Sequence, residues 1–203
     1  MTFYAKRQRF EGVSAKIGKA LAGLGLSPNQ WTILSIIAAL GSFYLLLQQS
    51  YIFAAVFFII AAFFDMADGA VARETGKSSK FGAYLDTMAD RLVEFIIVLG
   101  MVFLAGAGFL PPFILPAVIW VFIFYFGSIM TTYAKSAAKE KGLVKDELRG
   151  GLLERSERLI ILFIGIVLAA ISPMYLTYTL VLLAILTNIT ALQRFWLAKN
   201  ASG

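Results

Sequence analysis

Residues 63–90, FFDMADGAVARETGKSSKFGAYLDTMAD, place four aspartates where two strongly apolar segments meet. Asp65 and Asp68 are three residues apart and Asp86 and Asp90 four apart, so on helices each pair projects from one face about a turn apart. The first pair closes one apolar run and the second opens the next, with a short polar loop between them. Two runs joined so briefly must be antiparallel neighbours, and their four carboxylates can converge. Unpaired carboxylates there would repel one another and be costly at membrane depth. A divalent cation resolves both problems, and an all-oxygen ligand set points to magnesium, manganese or calcium.

Working outward, the chain is 203 residues long, 60% hydrophobic and 15% charged, with a mean hydropathy of +0.81. That composition excludes an ordinary soluble domain. A spanning helix needs about 20 apolar residues. Six segments qualify, roughly 30–48, 51–72, 82–105, 112–134, 156–172 and 174–196. The expectation is an all-α, polytopic membrane protein with six transmembrane helices, forming one domain over 27–203. Residues 1–26 precede it. There Phe10, Val13, Ile17, Leu21 and Leu24 follow helical spacing, with Lys6, Arg7, Arg9, Lys16 and Lys19 on the other face. This is the pattern of an amphipathic helix lying on the membrane rather than of a signal peptide.

The connections near 48–51, 105–112 and 172–174 carry no charge, and all 18 Lys and Arg lie at the opposite ends of the spans. The positive-inside bias makes those ends cytoplasmic, together with both termini and the aspartates. The chain has no cysteine or histidine, which removes disulfides, thiol catalysis and histidine-based triads. A net charge of +6 suits an anionic membrane or a phosphorylated substrate. Nucleic acid is a poor partner, because no soluble region is large enough to bind it.

Arg73 follows Gly69 by about one helical turn, and a guanidinium beside a metal site suits a diphosphate. Metal, carboxylates and diphosphate together suggest phosphoryl-type transfer. Ion pairing of Arg73 and Arg91 with the aspartates is the structural alternative, but two arginines cannot balance four aspartates and Glu94. A cation transporter is the rival function, although the outer halves of the spans offer no polar stepping stones. A nonenzymatic structural partner of lipid enzymes is a further alternative.

The series Asp65-x-x-Asp68-Gly69-x-x-Ala72-Arg73, eight residues, then Gly82-x-x-x-Asp86-x-x-x-Asp90 resembles the motif of the CDP-alcohol phosphotransferases without a departure. The resemblance implies a six-span enzyme, usually a homodimer, that passes the phosphoryl-alcohol part of a CDP-linked donor to a hydroxyl and releases CMP. It implies that Asp65, Asp68 and Asp86 bind two magnesium ions. Asp90 would complete the metal shell and serve as the base. Gly69 and Arg73 would hold the cytidine diphosphate, with Ser79 from the loop. At the start of the first span, in LGLSPNQWTILS, Asn29, Gln30, Trp31 and Thr32 are candidates to cradle the nucleotide. Equally, Ser27 or Asn29 is an ordinary helix cap.

A second basic cluster lies between spans four and five. Lys139, Lys141 and Lys145 read as a solvated face. Lys135, Arg155, Arg158 and Arg194 sit at span ends, where leaving water is costly, and they suit an anionic acceptor such as a sugar phosphate. Arg155 could instead pair with Glu154 or Glu157. The Tyr133-x-Lys135, Gly142-Leu143, Leu153-Glu154-Arg155-x-Glu157-Arg158-Leu159-Ile160 and Gln193-Arg194 elements resemble the family's inositol-phosphate branch. That branch implies transfer of a phosphatidyl or archaetidyl group from a CDP-lipid to inositol phosphate. Glycerol 3-phosphate as acceptor and CDP-inositol as donor are the neighbouring alternatives.

Overall fold

Prolines set where several helices start, since a missing N–H costs nothing in a first turn and the fixed φ suits it. In the computed structural model, which describes residues 16–144 and 150–201, α1 spans Pro28–Leu47 and α2 Tyr51–Glu74. Helix α3 spans Lys80–Gly106, α4 Ala117–Glu140 with Pro116 at its N-cap, α5 Arg155–Ala169 and α6 Pro173–Ala201. Among the described residues the only extended pairing is an isolated bridge between Phe113 and Leu115. The architecture is all-helical.

Helices α1, α2, α4 and α6 are each long and apolar enough to cross a membrane. The other two fall outside that group for physical reasons. Helix α3 carries Asp86, Asp90, Arg91 and Glu94 within its first fifteen residues. Helix α5 has 15 residues, about 22 Å at 1.5 Å per residue, short of a hydrocarbon layer of about 30 Å. The fourth helix starts five residues later than the hydropathy suggests, because Pro111, Pro112 and Pro116 interrupt the apolar run. It then continues past the apolar stretch to Glu140.

The chain divides into two compact units: residues up to Leu45 with Phe53–Ile97, and Leu46–Ile52 with Val98 onward. In the first, α1 and α2 are antiparallel. Thr32 meets Asp68 at one end, and at the other the Ser42 hydroxyl donates to the Ala54 carbonyl at 2.8 Å. Buried Trp31, Ala67 and Val71 form a cluster with Leu21, Leu26, Leu34 and Phe64 around it. Leu21 belongs to a helical segment at 16–22 whose Gly18 sits on the Ala70 carbonyl. That segment therefore packs on protein, while Lys16 and Lys19 face outward. Phe10, Val13, Lys6, Arg7 and Arg9 lie outside the described residues.

In the second unit α4 and α6 run parallel. Asn188 donates to the Ile123 carbonyl at 2.9 Å, and Arg194, further along α6, donates to the Thr131 carbonyl, further along α4, at 2.8 Å. Gly165 of α5 packs against Thr179 of α6, and these two helices are antiparallel. The connection before α4 is pinned by Trp120, which donates to the Phe113 carbonyl at 2.8 Å. Thr177 likewise donates to Pro111 at 2.9 Å.

Candidate metal and nucleotide site

The site lies in the first unit, where α2 ends and α3 begins. Helix α2 runs through its polar end to Glu74 and is closed by Gly76. At φ +65° Gly76 adopts the left-handed conformation that lacks penalty only for glycine. The Lys77 N–H then donates back to the Ala72 carbonyl at 3.0 Å. Three residues on, Ser79 caps α3, its hydroxyl accepting from the Gly82 N–H at 2.9 Å. A β-carbon at Gly82 would come within 3.1 Å of that hydroxyl. The motif glycine thus protects the cap that starts α3.

These ends bring three carboxylates together. Oxygen atoms of Asp65, Asp86 and Asp90, all half-buried, lie within 4.8 Å of one another. Three anionic oxygens at that separation fit a hard divalent cation, which replaces their mutual repulsion by attraction. Asp68 is the fourth aspartate and stands outside this group. It is buried, accepts a 2.6 Å hydrogen bond from the Thr32 hydroxyl and faces a cavity of about 400 Å³. Asp86 belongs to both the carboxylate group and the cavity wall, so the two adjoin.

The cavity is also lined by Asn29, Gly69, Arg73 and Ser79. Thr32, Ser27, Lys77 and Ser78 complete much of the rest. Lys77 and Ser78 carried no motif signal in the sequence; the turn fixed by Gly76 brings them in. Gln30 and Trp31 face elsewhere. The Gln30 side chain accepts from the Ser27 N–H at 2.7 Å, which makes Ser27 the helix cap. Trp31 is in the hydrophobic cluster, its ring 5.5 Å from Phe64. Beyond the cavity, Arg91 pairs with buried Glu94 at 2.9 Å and reaches Asp90 at 3.7 Å. Of the ion pairing weighed from sequence, the Arg91 contact is therefore present, alongside the three-carboxylate group.

In the second unit, Arg158 and Arg194 are both buried and meet at Thr131. Arg158 donates to the Thr131 hydroxyl at 2.7 Å and Arg194 to its carbonyl at 2.8 Å. Arg194 also donates to the Gly150 carbonyl at 3.0 Å and pairs with Glu154 at 3.1 Å. Lys135 lies one turn beyond Thr131 on α4, and Arg155 one turn before Arg158 on α5; both are half-buried. Of the carboxylates weighed as partners for Arg155, Glu157 also accepts the Glu154 N–H at 2.8 Å and Glu154 also engages Arg194 at 3.1 Å.

A family model described as CDP-alcohol phosphatidyltransferase matches residues 25–196. The chain belongs to the CDP-alcohol phosphatidyltransferase family. It is 38% identical to the archaetidylinositol phosphate synthase of Pyrococcus horikoshii, over 91% of this chain and 90% of that one. Among solved structures it resembles the phosphatidylinositol phosphate synthase of Mycobacterium tuberculosis with CDP-DAG bound. There the TM-score is 0.80 at 31% identity, covering 92% of this chain and 93% of that one. The same enzyme in complex with manganese and citrate gives 0.78 at 31% identity, covering 92% and 88%. The transferase is thus a multi-pass membrane enzyme of phospholipid synthesis, and the family's reaction moves a phosphatidyl group from a CDP-lipid to an alcohol.

Proposed function

We propose that the transferase passes a phosphatidyl or archaetidyl group from a CDP-lipid to inositol phosphate, releasing CMP. The observation that carries the acceptor's charge is the basic group of the second unit, Lys135, Arg155, Arg158 and Arg194, two of whose guanidinium groups are buried at Thr131. Sustaining that much positive charge away from water favours an anionic ligand. The named relatives, which make inositol phosphate lipids, support the choice of inositol phosphate.

Asp65, Asp68 and Asp86 would hold two magnesium ions, with Asp90 completing the shell and manganese able to substitute. Such ions neutralise charge on the diphosphate and on the departing nucleotide. The donor's cytidine diphosphate would lie in the cavity against Asn29, Thr32, Gly69, Arg73 and Ser79, with Gln30 and Trp31 supporting the helix entry. Arg73 neutralises the diphosphate. The acceptor hydroxyl oxygen forms a bond to the donor's β-phosphorus as its proton passes to Asp90. The bond from that phosphorus to the bridging oxygen breaks, and CMP leaves with the electron pair.

All six helices would span the membrane, α3 and α5 with their polar ends at the surface, preceded by an amphipathic helix within 1–26. The parallel course of α4 and α6, with α5 antiparallel between them in sequence, supports alternate crossings. The basic segments support a cytoplasmic position for both termini and the active site, at the cell membrane, and a homodimer is the expected assembly. The test is an acceptor panel with purified protein and CDP-lipid, following CMP. Release with inositol phosphate and little with glycerol 3-phosphate is expected. Release with glycerol 3-phosphate alone would change the acceptor, and release from CDP-inositol without CDP-lipid would change the donor.

A further inference from the structure

Thr32 and Asp68 are 36 residues apart, each only 4% exposed, and joined across α1 and α2 by a 2.6 Å hydrogen bond. An ionised carboxylate only accepts, so the threonine hydroxyl donates, and its other acceptor, the Pro28 carbonyl, is distant at 3.3 Å. The contact is held from both sides. Trp31, next to Thr32, packs on Ala67 and Val71, which lie one residue before and three residues after Asp68. The two helices therefore cannot slide at this point without emptying a packed cluster. Both Thr32 and Asp68 also line the cavity.

We infer that Thr32 is a positioning residue for the metal site: its hydroxyl fixes one oxygen of Asp68 and so aims the carboxylate at a divalent cation. The inference rests on the proposed role of Asp68 as a ligand. It gives Thr32 a task different from contact with the nucleotide. A hydroxyl that orients a ligating carboxylate contributes to metal affinity without touching the metal. Thr32→Val keeps the shape and removes the donor, whereas Thr32→Ser keeps the donor.

The experiment titrates Mn2+ into the purified full-length protein without nucleotide and follows the ion by electron paramagnetic resonance. Thr32→Val and Thr32→Ala should bind Mn2+ about 10-fold more weakly than the parent, and Thr32→Ser like the parent. Parent-like Mn2+ affinity in Thr32→Val overturns the inference, as does a Thr32→Ser variant as weak as Thr32→Val. If neither Thr32→Val nor Thr32→Ala yields monodisperse protein, the hydroxyl is structural and the inference also falls. Asp68→Asn separates the two layers. Weak binding there with normal binding in Thr32→Val sinks only the role of Thr32; normal binding in Asp68→Asn removes Asp68 as a ligand and takes the inference with it.

Discussion

Arg194 of α6 donates to the main-chain carbonyl of Thr131 on α4 at 2.8 Å, and the same guanidinium holds the Gly150 carbonyl and the Glu154 carboxylate. One side chain thus fastens the end of α6 to α4 and to the segment that enters α5. Its charge is partly committed to the protein before any acceptor arrives. Arg194→Ala should therefore act as a stability variant as well as a binding variant. Loss of charged hydrogen bonds to buried carbonyls is expected to lower stability by about 2–4 kcal/mol. A thermal-aggregation series in detergent, with KM for both substrates, checks it. An unchanged midpoint with a raised KM for the acceptor alone would return Arg194 to a purely ligand-binding role.

Lys135 and Arg155 are half-buried cations of the same unit and also carry the acceptor prediction. Lys135→Ala and Arg155→Ala should each raise the KM for inositol phosphate with little change in that for CDP-lipid. The loss expected for one charge-assisted contact is about 1.5–3 kcal/mol in kcat/KM. Lys139→Ala, on the exposed part of α4, is the control. Normal acceptor KM in both variants would point to an uncharged acceptor.

Asp65→Asn and Asp86→Asn each remove one anionic oxygen from the three that lie within 4.8 Å. Both should abolish turnover and weaken Mn2+ binding measured without substrate, because an amide brings neither the charge nor equal affinity for a hard cation. Near-normal turnover in either variant contradicts the metal assignment.

Asp90 lies in that group and is approached by Arg91 at 3.7 Å. As the proposed base, its replacement by Asn should stop turnover while CDP-lipid still binds. Isothermal titration with donor, beside a single-turnover assay at saturating donor and metal, distinguishes the roles. Lost donor affinity with surviving chemistry would make Asp90 a ligand and not the base.

The aspartate spacing was readable in the sequence because helical periodicity alone decides which residues share a face, and the turn at Gly76 is short enough to force α2 and α3 together. The separate position of Asp68 was not readable. It depends on a hydrogen bond to Thr32 from a helix 36 residues away, which no local pattern encodes. The packing of Trp31 was not readable for a related reason: an aromatic residue in a polar helix entry carries no mark of which way it packs. Hydropathy also overran the start of α4, since an average over an apolar window hides the three prolines that interrupt its backbone. The basic residues at span ends were readable as a group. Their division between holding protein and holding ligand depends on partners such as Thr131 and Gly150, 63 and 44 residues from Arg194.

Helices α4 and α6 pack tightly at Gly127. A β-carbon there would overlap the Thr187 hydroxyl and lie 2.6 Å from the Asn188 amide nitrogen and 2.9 Å from its main-chain nitrogen. Main chain cannot rotate away as a flexible side chain can, so Gly127→Ala must push the helices apart. The displaced pair includes the Asn188 bond to the Ile123 carbonyl, one turn earlier on α4. In a membrane, close packing through small residues and such interhelical bonds supplies much of the association. Helix propensity favours alanine over glycine by about 1 kcal/mol; overpacking costs about 1–3 kcal/mol, and the lost interhelical bond adds about 0.6 kcal/mol. The net expectation is a less stable protein. Thr131, one turn further along α4, holds both Arg158 and Arg194, so the same shift should loosen the basic group and raise the KM for inositol phosphate. The donor cavity and carboxylate group belong to the other unit, and Mn2+ affinity should be unchanged. Detergent unfolding, acceptor KM and Mn2+ titration on Gly127→Ala together test this. Unaltered stability and acceptor KM would mean that α6 tolerates the added methyl, and that the contact does not position the basic residues.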